Sequence, residues 1–187
     1  MRASLVAMRI YGNRQIKTLP GLETRPTAAR VREAVFYRWG DAIADCRWLD
    51  LCCGSGAMGA EALCRGAAVV IGIEQSRRAC ALIHQNWQRV AQPQQTFEIY
   101  CIDVVRSLAK LRRQTFDRIY FDPPYASPLY TPVLSGIAQF QLLAPAGELA
   151  IEHDPKRPLS IDLDQFSPVL HKTHGSTALM LLQKSKR

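Results

Sequence analysis

No stretch of the 187-residue chain holds the roughly 20 successive apolar residues of a bilayer-spanning helix, so helical membrane insertion is not expected. The start, MRASLVAMRIYGNR, has too short an apolar run and no small-residue cleavage site for a secretory signal, which makes a cytoplasmic location the expectation; Met8 is an alternative start. No Cys-x-x-Cys occurs among Cys46, Cys52, Cys53, Cys64, Cys80 and Cys101, so neither zinc nor any other metal is expected, and the thiols read as reduced, mostly buried hydrophobes. His171 and His174 have no cysteine nearby and read as strand-end polar residues. Repeats, low-complexity tracts and linkers are missing too. A single compact domain is expected, with residues 1–40 as a basic arm and helix ahead of a main unit over 41–187.

Acid is scarce at the front. Residues 1–40 carry eight Lys and Arg against Glu23 and Glu33, which accounts for six of the chain's net eight positive charges. Such clustering suits a polyanionic partner, because each neutralised phosphate releases counterions; a merely solvated basic face is the competing account.

What is present is a strand-helix alternation. Apolar runs predict strands over 47–52, 68–73, 97–101, 116–121 and 147–153, and helical spacing predicts helices over 57–65, 76–90, 104–112 and 129–142. Two further strands, 167–171 and 178–182, have no helix between them and read as an antiparallel edge pair. Ahead of these lie a hairpin arm around 9–19 and a helix over 27–39 with Thr27 as its cap; there Val31, Val35 and Trp39 face inward, and Arg30 and Arg32 face outward. The expected fold is α/β and Rossmann-like, a mostly parallel sheet with a C-terminal antiparallel hairpin and a short basic extension.

The first strand runs through Asp50 into Gly54-Ser55-Gly56-x-x-Gly59, and Glu74 ends the second strand 20 residues after Gly54. Taken alone, that spacing fits a dinucleotide. Asp50 argues otherwise. A carboxylate at the mouth of the loop repels a pyrophosphate and attracts the ammonium and sulfonium groups of S-adenosylmethionine. Glu74 is placed for ribose hydroxyls with either ligand. Asp103, beyond the third strand, is placed for the adenine amine or as the cap of the next helix.

The fourth strand ends in Asp122-Pro123-Pro124-Tyr125. An exocyclic amine is a poor nucleophile, because its lone pair is delocalised into the base. The Asp122 carboxylate and a carbonyl of the Pro123-Pro124 turn can accept the amine hydrogens and favour a pyramidal nitrogen. Two prolines pre-organise the turn, and Tyr125 offers a face for an extracted base. Transfer from an activated donor then needs alignment and electrostatics rather than a metal.

Together these motifs resemble the RsmD family of bacterial small-subunit (16S) ribosomal RNA guanine-N2 methyltransferases, from about Arg9 to the C-terminus. The residues that carry the resemblance are Thr24-Arg25-Pro26-Thr27 with Arg30-Val31-Arg32-Glu33, the Asp50–Gly56 loop with Gly59-x-Glu61-Ala62-Leu63, and Asp122-Pro123-Pro124-Tyr125. The resemblance implies a class I S-adenosylmethionine-dependent methyltransferase. Gly54, Ser55, Gly56, Glu74 and Asp103 would lie at the donor, Asp122, Pro123, Pro124 and Tyr125 at the base, and Arg25, Arg30 and Arg32 at the RNA. Arg25 and Thr27 could instead close over the methionine end of the donor. The partner implied is small-subunit ribosomal RNA, within an assembled or assembling particle, with a monomeric enzyme. Ala29 and Cys52-Cys53 depart from the family pattern, and Glu152 with His153 and Asp154 stands where an acidic pair is usual. Three alternatives remain at this stage: a DNA adenine-N6 methyltransferase, a non-catalytic RNA-binding assembly factor, and a dinucleotide oxidoreductase.

Overall fold

Strands built from Val, Ile, Leu and Phe alternate with helices that are apolar on one side, and the chain closes them into two core layers around one sheet. The computed structural model describes residues 5–19, 26–157, 159, 162 and 164–185. The order is β1 (Val6–Arg9), β2 (Gln15–Thr18), α1 (Pro26–Trp39), β3 (Arg47–Leu51), α2 (Ala57–Cys64), β4 (Val69–Glu74), α3 (Arg77–Val90) and β5 (Thr96–Cys101). Then come α4 (Val104–Lys110), β6 (Phe116–Phe121), α5 (Tyr130–Gln139), β7 (Leu143–His153), β8 (Phe166–His174) and β9 (Thr177–Lys184).

The main sheet has the strand order β5-β4-β3-β6-β7-β9-β8. Strands β3 to β7 are parallel, while β9 is antiparallel to both β7 and β8. The expected α/β sheet with its terminal antiparallel pair is therefore present. From β3 the chain winds outward through β4 and β5, then returns to place β6 on the other side of β3. That reversal opens a crevice at the C-terminal ends of β3 and β6, where open α/β sheets bind ligands.

One core layer lies under α1, α2 and α3 and includes Trp48, Trp87, Tyr120 and Leu181. The other lies under α4 and α5 and includes Leu51, Ile73, Phe121 and Ile151. Helix α1 buries Val31, Val35, Phe36 and Trp39. Phe36 stacks on Trp48 at 5.3 Å, and Trp39 meets the same indole edge-on at 5.2 Å. Such pairs add about 0.5–1.5 kcal/mol each beyond the area they bury.

Several expectations need correction. Thr27 lies inside α1, which begins at Pro26, because proline's fixed φ and missing N–H suit the first turn. Strand β7 begins at Leu143 rather than 147; a register shift between Phe116 and Arg118 of β6 absorbs the additional residues. Arg32 does not face outward. It is 9% exposed, donating Nε–H to Glu61 at 2.8 Å and Nη2–H to the Arg9 carbonyl at 3.1 Å. Arg30 is exposed as expected, whereas Arg25 lies outside the described residues.

The basic arm is docked. Met8, Ile10 and Ile16 are buried in the layer under α1 to α3. The Asn86 side chain of α3 accepts the Lys17 N–H at 3.0 Å and donates to the Lys17 carbonyl at 2.7 Å, as a neighbouring strand would.

Candidate active site

The glycine loop leaves β3 through Cys52, whose φ of +65° starts a reversal continued by Gly54 at +55° and Gly56 at +73°. Two carboxylates fasten it. Asp50, 1% exposed beneath the loop, accepts the Gly59 N–H at 3.0 Å. Glu74, at the end of β4, accepts the Gly54 N–H at 2.9 Å and the Ser76 N–H at 2.8 Å. Behind the loop, the Trp87 indole donates to the Gly56 carbonyl at 2.8 Å. A Cβ on Gly59 would lie 2.2 Å from that indole, so residue 59 must be glycine for packing. At Gly54 the nearest atom to an added Cβ is 4.0 Å away, which leaves room above the backbone.

Asp103 caps α4 by accepting the Arg106 N–H at 3.0 Å, so the capping role considered for it is realised. Ser55 is half-buried in the turn.

Asp122 follows β6, where its N–H donates to the Leu51 carbonyl at 3.4 Å and joins the two motifs across adjacent strands. Pro123 is buried, Pro124 exposed and Tyr125 half-buried, its hydroxyl 2.5 Å from Thr177 Oγ1. The register β6 to β7 pairs Tyr120 with Ala150 and Phe121 with Ile151, which brings the next residues, Asp122 and Glu152, side by side. The Tyr120 hydroxyl donates to Glu152 Oε1, and the Tyr130 hydroxyl donates to the Glu152 carbonyl at 3.1 Å. Tyr120, Tyr130, Glu152 and Thr177 are site residues that sequence reasoning did not assign. The alternation of β6 places Tyr120 on the Asp122 face, but Glu152 and Thr177 arrive only through strand pairing.

The electrostatics of this crevice are acidic. Burial lifts Asp50 to about 7, with the charges of Asp122 and Glu74 adding to it and the Gly59 N–H opposing. Burial lifts Asp122 to about 6. Glu152 rises to about 8, from burial first and then from the Asp122 charge. The Cys52 thiol, raised to about 12 chiefly by burial, also senses the charges of Glu74, Asp50, Asp122 and Asp103. Four carboxyl groups, Asp50, Glu74, Asp103 and Asp122, thus lie near enough to the start of the glycine loop to act on Cys52. That donor set fits the ammonium and sulfonium of S-adenosylmethionine together with its hydroxyl and amine donors, and it opposes a pyrophosphate.

The family described as "Conserved hypothetical protein 95" matches residues 8–183. The chain belongs to this family. The resemblance drawn from the sequence is thereby borne out. Among relatives, "Putative rRNA methyltransferase YlbH" of Bacillus subtilis is 31% identical over 173 residues, 91% of this chain and 94% of that protein. "Ribosomal RNA small subunit methyltransferase D" of Escherichia coli K12 is 31% identical over 169 residues, 88% and 81% of the two chains. The solved "Putative methyltransferase yhhF" of Escherichia coli superposes with a TM-score of 0.83 at 26% identity, covering 97% of this chain and all of that one. A 16S rRNA N2 methyltransferase of T. thermophilus, solved with AdoMet and guanosine, shares the fold at a TM-score of 0.74 and 19% identity, over 97% and 50% of the chains. The fold is that of the class I S-adenosylmethionine methyltransferases, as expected.

Proposed function

We propose that this chain transfers the methyl group of S-adenosylmethionine to the exocyclic N2 amine of a guanine in small-subunit ribosomal RNA. The observation that carries the reading is the junction of the glycine loop and the Asp122–Tyr125 turn on adjacent strands at the sheet's reversal point. The names and full-length similarity of the ribosomal RNA methyltransferase relatives support the substrate.

Bound S-adenosylmethionine supplies a methyl group already activated by its sulfonium. Gly54, Ser55 and Gly56 shape the cradle, Glu74 takes the ribose hydroxyls and Asp103 the adenine amine. Asp50 acts from beneath, fixing the loop through Gly59 and attracting positive charge. Asp122 accepts an amine hydrogen and aligns the nitrogen with the methyl group. Pro123 and Pro124 fix the turn, and the Tyr125 ring, held by Thr177, stacks on the base. The methylated ammonium is acidic enough to shed a proton without a strong base.

Arg30 stands on the exposed side of α1 for RNA, with Arg25 preceding that helix. Arg32 serves instead as an internal brace. A small domain reading one guanine suits a folded ribosomal particle in the cytoplasm, bound by a monomer. No helix among the described residues is long and apolar enough to cross a membrane.

The deciding experiment transfers a labelled methyl group to unmodified small ribosomal subunits, naked ribosomal RNA and duplex DNA, with the product nucleoside identified by mass. N2-methylguanosine from subunits or RNA is expected. N6-methyladenine from DNA overturns the substrate, and no transfer with the donor bound favours an assembly factor.

A further inference from the structure

Helix α3 runs antiparallel to β5 and meets it in a ladder of side chains. Trp87 contacts Phe97 edge-on at 6.0 Å, and His84, one turn back, contacts the same ring at 5.5 Å. One further turn towards the helix start brings Cys80 level with Cys101, at the end of β5. Both sulfurs reach the same stretch of backbone. Cys80 Sγ donates to the Glu74 carbonyl at 3.2 Å, and Cys101 Sγ to the next carbonyl, Gln75, at 3.8 Å. Cys101 is also the strand partner of Glu74, so the two thiols converge on adjacent carbonyls from the helix and from the strand. The adjacent thiols Cys52 and Cys53 offer no such pair: Cys53 belongs to the layer under α1 to α3, and Cys52 packs against the opposite one.

We propose that Cys80 and Cys101 form a redox-active dithiol, which oxidises to a disulfide beside the donor pocket and weakens donor binding when it does. The second part rests on the reading of the glycine loop as the S-adenosylmethionine site. The oxidant is a low-molecular-weight disulfide, R–S–S–R. Cys101 is exposed and attacks first as its thiolate; a Cys101–S–S–R bond forms and RS⁻ leaves. Cys80 is buried and resolves the adduct. Its sulfur bonds to Cys101 Sγ, its proton passes to the departing thiolate, and the second RS⁻ leaves. Two protein thiols lose two electrons and two protons, and R–S–S–R becomes two RSH.

The order of attack follows from the surroundings. Burial first, and then the neighbouring Cys101 thiol, pushes the Cys80 thiol up to about 12, so it is a poor initiator but a well-placed second nucleophile. The consequence follows from what lies between the sulfurs. Bonding draws them to about 2.0 Å and pulls the start of α3 towards the end of β5. The loop through Gln75 and Ser76 is caught in that movement. It carries the Ser76 N–H that holds one oxygen of Glu74, whose other oxygen holds Gly54. A displacement of about 1 Å at such a positioning group is costly for a bound ligand.

The test uses the full chain, reduced, desalted and exposed to oxidised glutathione, then alkylated and mapped by peptide mass. The expected product links the Cys80 and Cys101 peptides with loss of two hydrogens, reversibly with a reducing thiol. Affinity for S-adenosylmethionine, measured by equilibrium dialysis, falls about tenfold on oxidation and recovers on reduction. Cys101→Ser forms no link, and its affinity is the same with and without oxidant. A glutathione adduct persisting on Cys101, or a link between other cysteines, overturns the dithiol. A linked pair with unchanged donor affinity overturns the coupling. A reduced chain that binds no donor overturns the donor reading and the coupling together, while the peptide map still decides the disulfide.

Discussion

The glycine loop and the Asp122–Tyr125 turn lie on neighbouring strands and are held in opposite ways. The loop is fastened by Asp50, Glu74 and the Trp87 indole, each bonded to its backbone. Behind it, Glu61 of α2 is gripped by Arg32 and by Arg65, both at 2.8 Å. The turn is anchored at its edges, by the Asp122 N–H, by the Ser127 N–H on the Pro124 carbonyl at 2.8 Å, and by Tyr125 on Thr177. Its stiffness between those points comes from two prolines. Under the proposed function the difference divides the labour: the donor side is pre-organised by the fold, while the acceptor side presents side chains to whatever base is brought to it.

Asp122→Ala separates the two sides most sharply. Transfer should fall about 10³-fold, the middle of the range that a positioned proton acceptor contributes, with donor affinity within about threefold of the original. Loss of both together would mean that the two sides are one unit. Arg32→Ala tests the bracing behind the loop. It strands Glu61 with one cation fewer in a buried site, so denaturant unfolding should show a loss of about 3 kcal/mol, against less than about 0.5 kcal/mol for exposed Arg30→Ala. Equal effects would dismiss the brace.

Gly59→Ala drives a methyl group into the Trp87 indole and should cost about 2 kcal/mol in the same measurement, with weaker donor binding. The smallest effect is that of pH. Asp50, raised to about 7, is neutral below that value and charged above it, so affinity for the cationic donor should rise about threefold from pH 6 to pH 8. S-adenosylhomocysteine, lacking the sulfonium, should show a flatter profile by titration calorimetry, and Asp50→Asn should flatten both.

Most of the sheet was readable because parallel strands covered on both faces are continuous apolar runs, as in Val69–Glu74 and Phe116–Phe121. The start of β7 was hidden by Pro145 and Gly147, which signal a turn; here they sit where the register with β6 shifts. The glycine loop and the Asp122–Tyr125 turn were readable since each is contiguous in sequence. Glu152 and Thr177 were not, because only strand pairing brings them to Asp122 and Tyr125. Arg32 was misread for the same reason. Its partner Glu61 is 29 residues away, and a charged residue beside Val31 reads as surface until that partner is known.

The strand order has a consequence for how the protein comes into being. β9 is made after β8 but does not lie at the edge of the sheet; it inserts between β7 and β8, and its first residue, Thr177, holds the Tyr125 hydroxyl. A nascent chain therefore carries a complete glycine loop long before Tyr125, the proposed base-stacking residue, has a support. Such non-local pairing is slow to form. Methylation competence should consequently appear as a late event of folding, coincident with closure of the C-terminal strands, and stalled chains ending before residue 177 should bind donor without using it.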